Sequence, residues 1–306
     1  MYTITSRRKL GYFDIRSAIQ KAVRRCEVED VLYSVAEMDL TGLGNAVFIN
    51  LIMFCYEDVG PAEPYLIVEV YNEYLKWKKI LKDQQIKPSE SASSSQAKEC
   101  LIRAGYMMAR AHKSRVVDYA MHNFQKSVYL NLTIDDALNQ FQEALKSKDL
   151  EMTLDRLDTL TRMIVDHDGR KVRPFKKIWV VIRKQPTNPT ISSILEVMEK
   201  CFSITLKKCL RFPLIHACFL VIQDDYQIRE IPKLTSENLV NLVETYYAED
   251  FNHDVMKDYV YDKHTAKGKK MGRGTQHFIL EGSKVVNLGY PEMYKDKFIQ
   301  VRKHKT

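Results

Sequence analysis

Glycine and proline are scarce, at 11 and 9 of 306 residues. So few breakers among many long side chains argue against a turn-rich β fold and for helices. The six cysteines, Cys26, Cys55, Cys100, Cys201, Cys209 and Cys218, contain no pair at two-residue spacing, and most sit in apolar runs. They read as buried reduced thiols rather than a disulfide or zinc framework, which fits an intracellular protein. The opening MYTITSRRKLGY has no apolar segment of the kind a secretory signal needs, so secretion is not expected. The longest apolar stretches, Ala46–Tyr56 and Phe212–Ile222, are too short to span a bilayer, so no membrane association is expected. There is no G-x-x-x-x-G-K-[ST] loop and no G-x-S-x-G elbow. ATP hydrolysis by a P-loop and acyl transfer at such an elbow are therefore excluded, and no cofactor is implied.

What is abundant is positive charge, unevenly placed. The formal net charge is +8. His253–Thr306 carries a net +6 and Asp166–Lys184 a net +5, leaving −3 for the remainder. Basicity confined to two segments points to a polyanion-facing surface, most simply DNA contacted through its backbone. The plainer reading is a solubilising surface.

Hydrophobic periodicity places the helices. Asp14 reads as an N-cap, followed by Ile15, Ala18, Ile19, Ala22 and Val23 at helical spacing. Val31, Leu32, Val35 and Ala36 form a second stripe, and Gly42 and Gly44 end the hairpin. Ala46–Tyr56 reads as a buried helix, and Pro64–Leu81 as a long amphipathic one opened by Pro64. Gln84–Ala97, with its run of serines, reads as a flexible surface loop. Ala97–Ala111 and Lys113–Phe124 follow as helices. His167 reads as part of a turn, and His216 as a satisfied core histidine.

An offset of 122 residues lays Ile15–Met38 on Ala137–Leu160, with Gln20, Ala22, Glu29 and Leu32 meeting Gln142, Ala144, Glu151 and Leu154. Phe48–Tyr56 then corresponds to Phe175–Ile182, Glu63–Trp77 to Asn188–Phe202, and Gln96–His112 loosely to Cys209–Gln223. The expected architecture is all-α: a first helical unit over 1–125, a related second unit over 126–235, and a basic C-terminal segment over 236–306. The first unit carries the acidic turn Glu57-Asp58 where the second carries Arg183-Lys184, which suggests a scaffold copy and a contact copy.

The tail, Tyr261 to Gly282, sets four glycines among five cations and two histidines. Backbone amides beside Lys and Arg suit phosphate. Lys263, Lys267, Lys269, Lys270 and Arg273 are the candidate phosphate contacts, assisted by Arg170, Lys171, Arg173, Lys176 and Lys177. Thr275–Lys284 reads as a short helix capped near Gly274 or Thr275. Asp262, His264, His277 and Glu281 form an alternative acid–base set, with His277 and Glu281 on one helix face. H-x3-E lacks the H-E-x-x-H pattern and a third ligand, so no metal is expected there.

Three segments carry a family resemblance: Phe13-Asp14-Ile15 through Arg25, the turn Tyr56-Glu57-Asp58-Val59-Gly60-Pro61-Ala62-Glu63-Pro64, and Ala109-Arg110-Ala111-His112-Lys113-Ser114. They resemble the helical C-terminal domain of MgsA/RarA-type AAA+ proteins. The tail YDKHTAKGKKMGRGTQHFILEG looks like a segment ending related phage and large-virus proteins. The similarity spans roughly residues 11–120 and 254–286. It implies a role in DNA replication or recombination at stalled forks, with a helical domain that mediates oligomerisation. The ATPase core of that family is missing from this sequence, so a separate AAA+ ATPase or replication protein is the implied partner, and a homo-oligomer is a further possibility. The expected function is that of a non-catalytic DNA-binding accessory protein. The alternatives are an enzyme acting on a nucleic acid or nucleotide through Asp262, His264, His277 and Glu281, and a structural scaffold of a virion or complex.

Overall fold

The computed structural model describes residues 4–124, 132–167, 170–204, 210–223 and 229–303. The first unit consists of α1 (Tyr12–Arg25), α2 (Val28–Leu40), α3 (Gly44–Phe54), α4 (Leu66–Asp83), α5 (Ser95–Arg110) and α6 (Val116–Asn123). The second consists of α7 (Ile134–Lys146), α8 (Leu150–Arg162), α9 (Phe175–Arg183), α10 (Pro189–Phe202) and α11 (Arg211–Ile222), with a small hairpin of β1 (Val165–His167) and β2 (Arg170–Val172) between α8 and α9. Next come α12 (Ser236–Tyr247), α13 (Ala266–Lys270), α14 (Thr275–His277), which runs on as a π-turn over Phe278–Gly282, and α15 (Lys295–Lys303). The fold is all-α, as the scarcity of breakers implies.

The stripe read on α1 is buried: Ile15, Ala18, Ile19, Ala22 and Val23 all face the core. One apolar core runs through both units, with Phe48, Trp77 and Leu101 from the first and Trp179, Leu195 and Phe219 from the second. Burying each such side chain contributes about 1.5–3 kcal/mol. Among the described residues, no helix is long and apolar enough to cross a membrane. Cys55, Cys100, Cys201 and Cys218 are buried free thiols, Cys26 is half-buried, and Cys209 lies outside the described residues.

The backbone echoes itself at the 122-residue offset. α1 ends on Cys26 at φ 58° and α7 on Lys148 at φ 55°, both left-handed. The Glu27 N–H then bonds the Ala22 carbonyl, and the Asp149 N–H bonds Ala144, the same helix-ending turn in both places. α1 packs on α2 as α7 packs on α8, and α5 packs on α1–α4 as α11 packs on α7–α10. Across the units α4 meets α10, while α6 packs on α11 and α12 on α5. The helix after each fifth helix therefore crosses to the other unit.

Several local expectations need correction. Asp14 is not the cap of α1: Gly11 is, because the Thr5–Gly11 bridge carries extended backbone up to Tyr12. Asp14 sits in the first turn, where a carboxylate still favours the helix dipole. Pro64 precedes α4, which opens at Leu66; the chain there is occupied by a π-turn over Cys55–Val59 and a 3-10 turn over Gly60–Ala62. The serine-rich stretch is not a flexible loop. It forms a 3-10 turn over Pro88–Ser93 whose buried Ser91 hydroxyl donates to Asp39, and Ser94 caps α5 by accepting from the Ala97 N–H at 3.3 Å. Lys113–Arg115 is non-helical, with Lys113 in a bridge to Leu288, and α6 begins at Val116. His167 lies in β1 rather than in a turn. His216 is buried, but neither of its ring nitrogens has a hydrogen-bond partner.

Candidate functional site

The three motifs singled out in the sequence converge. α1, the Glu57-Asp58 turn and the Lys113–Arg115 segment form one face of the first unit, and the chain from Phe251 to Phe298 lies along it. The tail docks mainly on the first unit, where the Glu57-Asp58 turn is a docking element for it, and it touches the second unit at its end, where the Tyr290 hydroxyl donates to Gln223 and Lys297 lies 3.5 Å from Glu151.

Docking proceeds in steps along the face. Asp30, at the start of α2, receives His253 Nε2 at 2.6 Å and Lys257 Nζ at 2.7 Å, and Tyr259 donates to Glu27. Burial alone would raise the Asp30 carboxyl, but Lys257 and His253 hold it below its ordinary value. Next, Lys21 Nζ bonds Asp262 Oδ2 at 2.9 Å and the Val260 carbonyl at 2.7 Å, with both side chains almost fully buried. Burial pulls Lys21 down to about 8 despite its partner, while Lys21 outweighs burial at Asp262 and keeps that carboxyl low.

Arg24 then spans the dock. Its Nε donates to Asp58 Oδ1 at 2.6 Å, its Nη1 to the Gly282 carbonyl at 2.7 Å, and its backbone carbonyl accepts from the Val286 N–H at 3.0 Å. Asp58 is fully buried and also accepts from Gln20 Nε2 at 2.9 Å. Buried Arg115 pairs with Asp118 and reaches the Ser283 carbonyl at 3.4 Å. Lys113 exchanges backbone bonds with Asn287 and Gly289 at 3.0 and 3.2 Å. The last segment packs α15 on α6, with Phe298 against Tyr119 at 5.0 Å between ring centroids and the Asn123 side chain bonded to the Tyr294 carbonyl at 2.9 Å.

The glycines of the tail serve this packing. A Cβ on Gly268 would lie 2.1 Å from the Asp262 carbonyl oxygen, and one on Gly282 would lie 2.7 Å from Asp262 Oδ2. Those two positions admit only glycine at this closeness. Gly274 is the cap of α14, with open space around it.

The candidate phosphate contacts divide. Lys269 and Lys270 are exposed and have no acidic partner among the described residues. Lys267 is exposed, with Nζ 3.9 Å from the centroid of Tyr261. Lys263 bonds Thr275 Oγ1 at 3.1 Å and lies 5.1 Å over Phe278. Arg273 turns back on its own segment, pairing with Asp258 and donating to the Tyr261 carbonyl at 2.8 Å. It is a structural brace, which removes it from the outward-facing set. In the second basic segment, Lys176 is exposed, Lys177 pairs with Asp135 at 3.3 Å, and Arg173 donates to the Thr161 carbonyl. The side chains of Arg170 and Lys171 lie outside the described residues. The two basic segments rest on different supports, one on α1, α2 and α6 and the other beside α7 and α8.

The alternative acid–base set is dispersed. Asp262 is committed to Lys21, and it accepts from the His264 backbone N–H at 2.8 Å. The His264 ring meets Phe278 edge-on at 4.9 Å. His277 approaches Asp258 at 4.0 Å, and Glu281 approaches Arg25 at 3.9 Å. The π-turn starting at Phe278 also breaks the helical spacing that would align His277 with Glu281. No group of three or more His, Cys, Asp or Glu side chains among the described residues is arranged to hold a metal.

The sequence reading took in Lys21, Arg24 and Asp58 only as members of motifs, without their pairing, and it missed Arg115 and Asp118. Their one signal was charge interrupting apolar periodicity, as Lys21 does between Ile19 and Ala22. No family model, curated protein or solved structure matches this chain.

Proposed function

We propose that this is a non-catalytic DNA-binding accessory protein of replication or recombination, acting inside the cell beside an AAA+ ATPase supplied by another chain. The observation that carries the reading is the sorting of charge in the tail. Between Asp258 and Gly282 each acidic group lies against a cation, Asp262 against Lys21, Asp258 against Arg273 and Glu281 against Arg25, while Lys269 and Lys270 stand exposed with no acidic partner among the described residues. Lys267 and Lys284 add exposed cations on the same segment. A rigid dock beneath exposed lysines suits a sequence-independent phosphate track. The resemblance of residues 11–120 and 254–286 to the helical domain of MgsA/RarA-type proteins supports the replication context.

We also read the two helical units as copies of one ancestral unit, on the repeated helix-ending turns and repeated packing partners. In the second copy Glu143 and Lys146 stand where the first has Lys21 and Arg24. That charge pattern leaves the tail dock to the first copy.

The test is fluorescence anisotropy with labelled single-stranded, duplex and forked DNA over a salt series. Reversing Lys269 and Lys270 to Glu should weaken binding and flatten the logarithmic salt slope by about 2, since each lost phosphate contact removes about 0.9 on duplex DNA. Unchanged affinity in that variant, or no binding by the wild type at low salt, would overturn the proposal.

A further inference from the structure

α1 is used on two faces. One enters the core; the other, Phe13, Arg16, Ser17, Gln20, Lys21 and Arg24 at helical spacing, looks toward the tail. The tail packs beside that second face and leaves a cleft of about 170 Å³ that α1 lines from Phe13 to Arg24. That is room for roughly half a dozen waters. The Lys21–Asp262 pair lies at its floor, and the wall on the tail side is His264 edge-on to Phe278.

Three features set this cleft apart from an ordinary surface hollow. Phe13 stands at its mouth 68% exposed, the most exposed large hydrophobic side chain among the described residues, with its ring edge-on to Tyr12 at 5.1 Å. Arg16 donates its Nε to Asn50 Oδ1 at 2.9 Å, which fixes the guanidinium, yet it has no acidic partner among the described residues. Arg24 and Arg25 on the same helix both have one. Finally, Gln20 and Glu57 line the interior beside Arg24, and Asp58 takes the short bond to that arginine, leaving Glu57 at 3.5 Å.

An exposed aromatic ring, a fixed guanidinium fork and an amide beside a carboxyl are the groups that recognise a base joined to a phosphate. The base stacks on an aromatic face, the phosphate takes the fork, and the base edge meets the amide and carboxyl. A base stacked within a duplex cannot reach such a ring. We propose that the cleft between α1 and the tail holds one nucleotide unit, supplied by a single strand whose neighbouring phosphates run onto Lys267, Lys269 and Lys270. This rests on the nucleic-acid reading and adds to it a strand form and a stacking residue. Phe13 stacks the base, Arg16 holds its phosphate, and Glu57 faces its edge together with the Gln20 amide oxygen, the Gln20 nitrogen being bonded to Asp58.

The experiment compares the wild-type chain, Phe13→Ala and the Lys269→Glu/Lys270→Glu variant. The probes are a labelled single strand carrying 2-aminopurine, the matching duplex, and deoxyadenosine monophosphate. Anisotropy reads affinity and 2-aminopurine emission reads stacking. Phe13 is exposed, so its truncation leaves the core intact. Phe13→Ala should weaken single-strand binding at least roughly fivefold, as expected for losing one stacked base. It should also abolish the stacking signal and leave duplex affinity unchanged, whereas the lysine variant weakens both. If the wild type binds DNA and Phe13→Ala changes neither single-strand affinity nor emission, the cleft proposal is wrong and the lysine track survives. If the wild type binds no strand at low salt, the DNA reading fails and the mononucleotide decides the cleft. Binding lost in Phe13→Ala would keep it as a nucleotide site, and no binding would overturn it.

Discussion

Replacing Asp39 with Asn should stabilise the protein at alkaline pH and do nothing at acid pH. Asp39 lies on α2, fully buried, where Ser91 donates to one carboxylate oxygen and the Tyr247 hydroxyl to the other at 2.9 Å. No cation forms an ion pair with it among the described residues; Lys98 stands nearby, 4.9 Å over the Tyr247 ring. Burial therefore pushes the carboxyl up from 3.8 to about 6, against the smaller pull of Ser91, Tyr247 and Lys98. Between those two values the folded chain binds more protons than the unfolded chain. Stability therefore rises as pH falls through about 6 towards 3.8, and the penalty is fully present above about 6. At about 1.4 kcal/mol per pH unit, the gap corresponds to about 3 kcal/mol. Asparagine keeps the shape, an acceptor for Tyr247 and a polar group for Ser91, but carries no charge. With about 2 cal/mol/K of unfolding entropy per residue, Asp39→Asn should melt about 5 °C higher than wild type at pH 8. The two proteins should converge near pH 4. The assay is thermal unfolding followed by circular dichroism from pH 4 to pH 8. A variant that melts no higher at pH 8, or whose gain is the same at every pH, would refute the reasoning.

Other perturbations probe the dock and the core. Asp58→Ala strands the buried guanidinium of Arg24 and should cost about 3–5 kcal/mol; limited proteolysis should then cut the tail first, and a tail as resistant as in wild type would count against the dock. Gly268→Ala forces a methyl onto the Asp262 carbonyl and should cost about 1–3 kcal/mol in thermal unfolding. No measurable loss would mean that the tail backbone has room to shift. His216 is held neutral by burial, which lowers it from 6.5 to about 3. The folded state then binds fewer protons than the unfolded state between those values, so this histidine costs stability increasingly as pH falls below 6.5. His216→Leu should raise the melting temperature more at pH 4.5 than at pH 8, and an equal gain at both would remove the histidine from the acid response.

Most helices of the first unit were legible in the sequence, while several of their caps and turns were not. Apolar residues marked α1, α2, α3 and α5. These features are legible because helix periodicity acts over a few residues, so the pattern that causes them lies within one stretch of chain. The same local reading mistook the serine-rich segment, since whether a polar turn floats or packs depends on what lies beneath it, here Asp39. That the tail docks mainly on the first unit, and that charges read as outward contacts or as an acid–base set are partly consumed within the fold, follows from long-range packing. Lys21 meets the Val260 carbonyl across 239 residues, Arg24 meets Gly282 across 258, and Tyr247 meets Asp39 across 208. No local period encodes such pairings. They follow from which buried charges find a partner once the apolar faces have closed, because an unpaired charge in that interior would not survive folding.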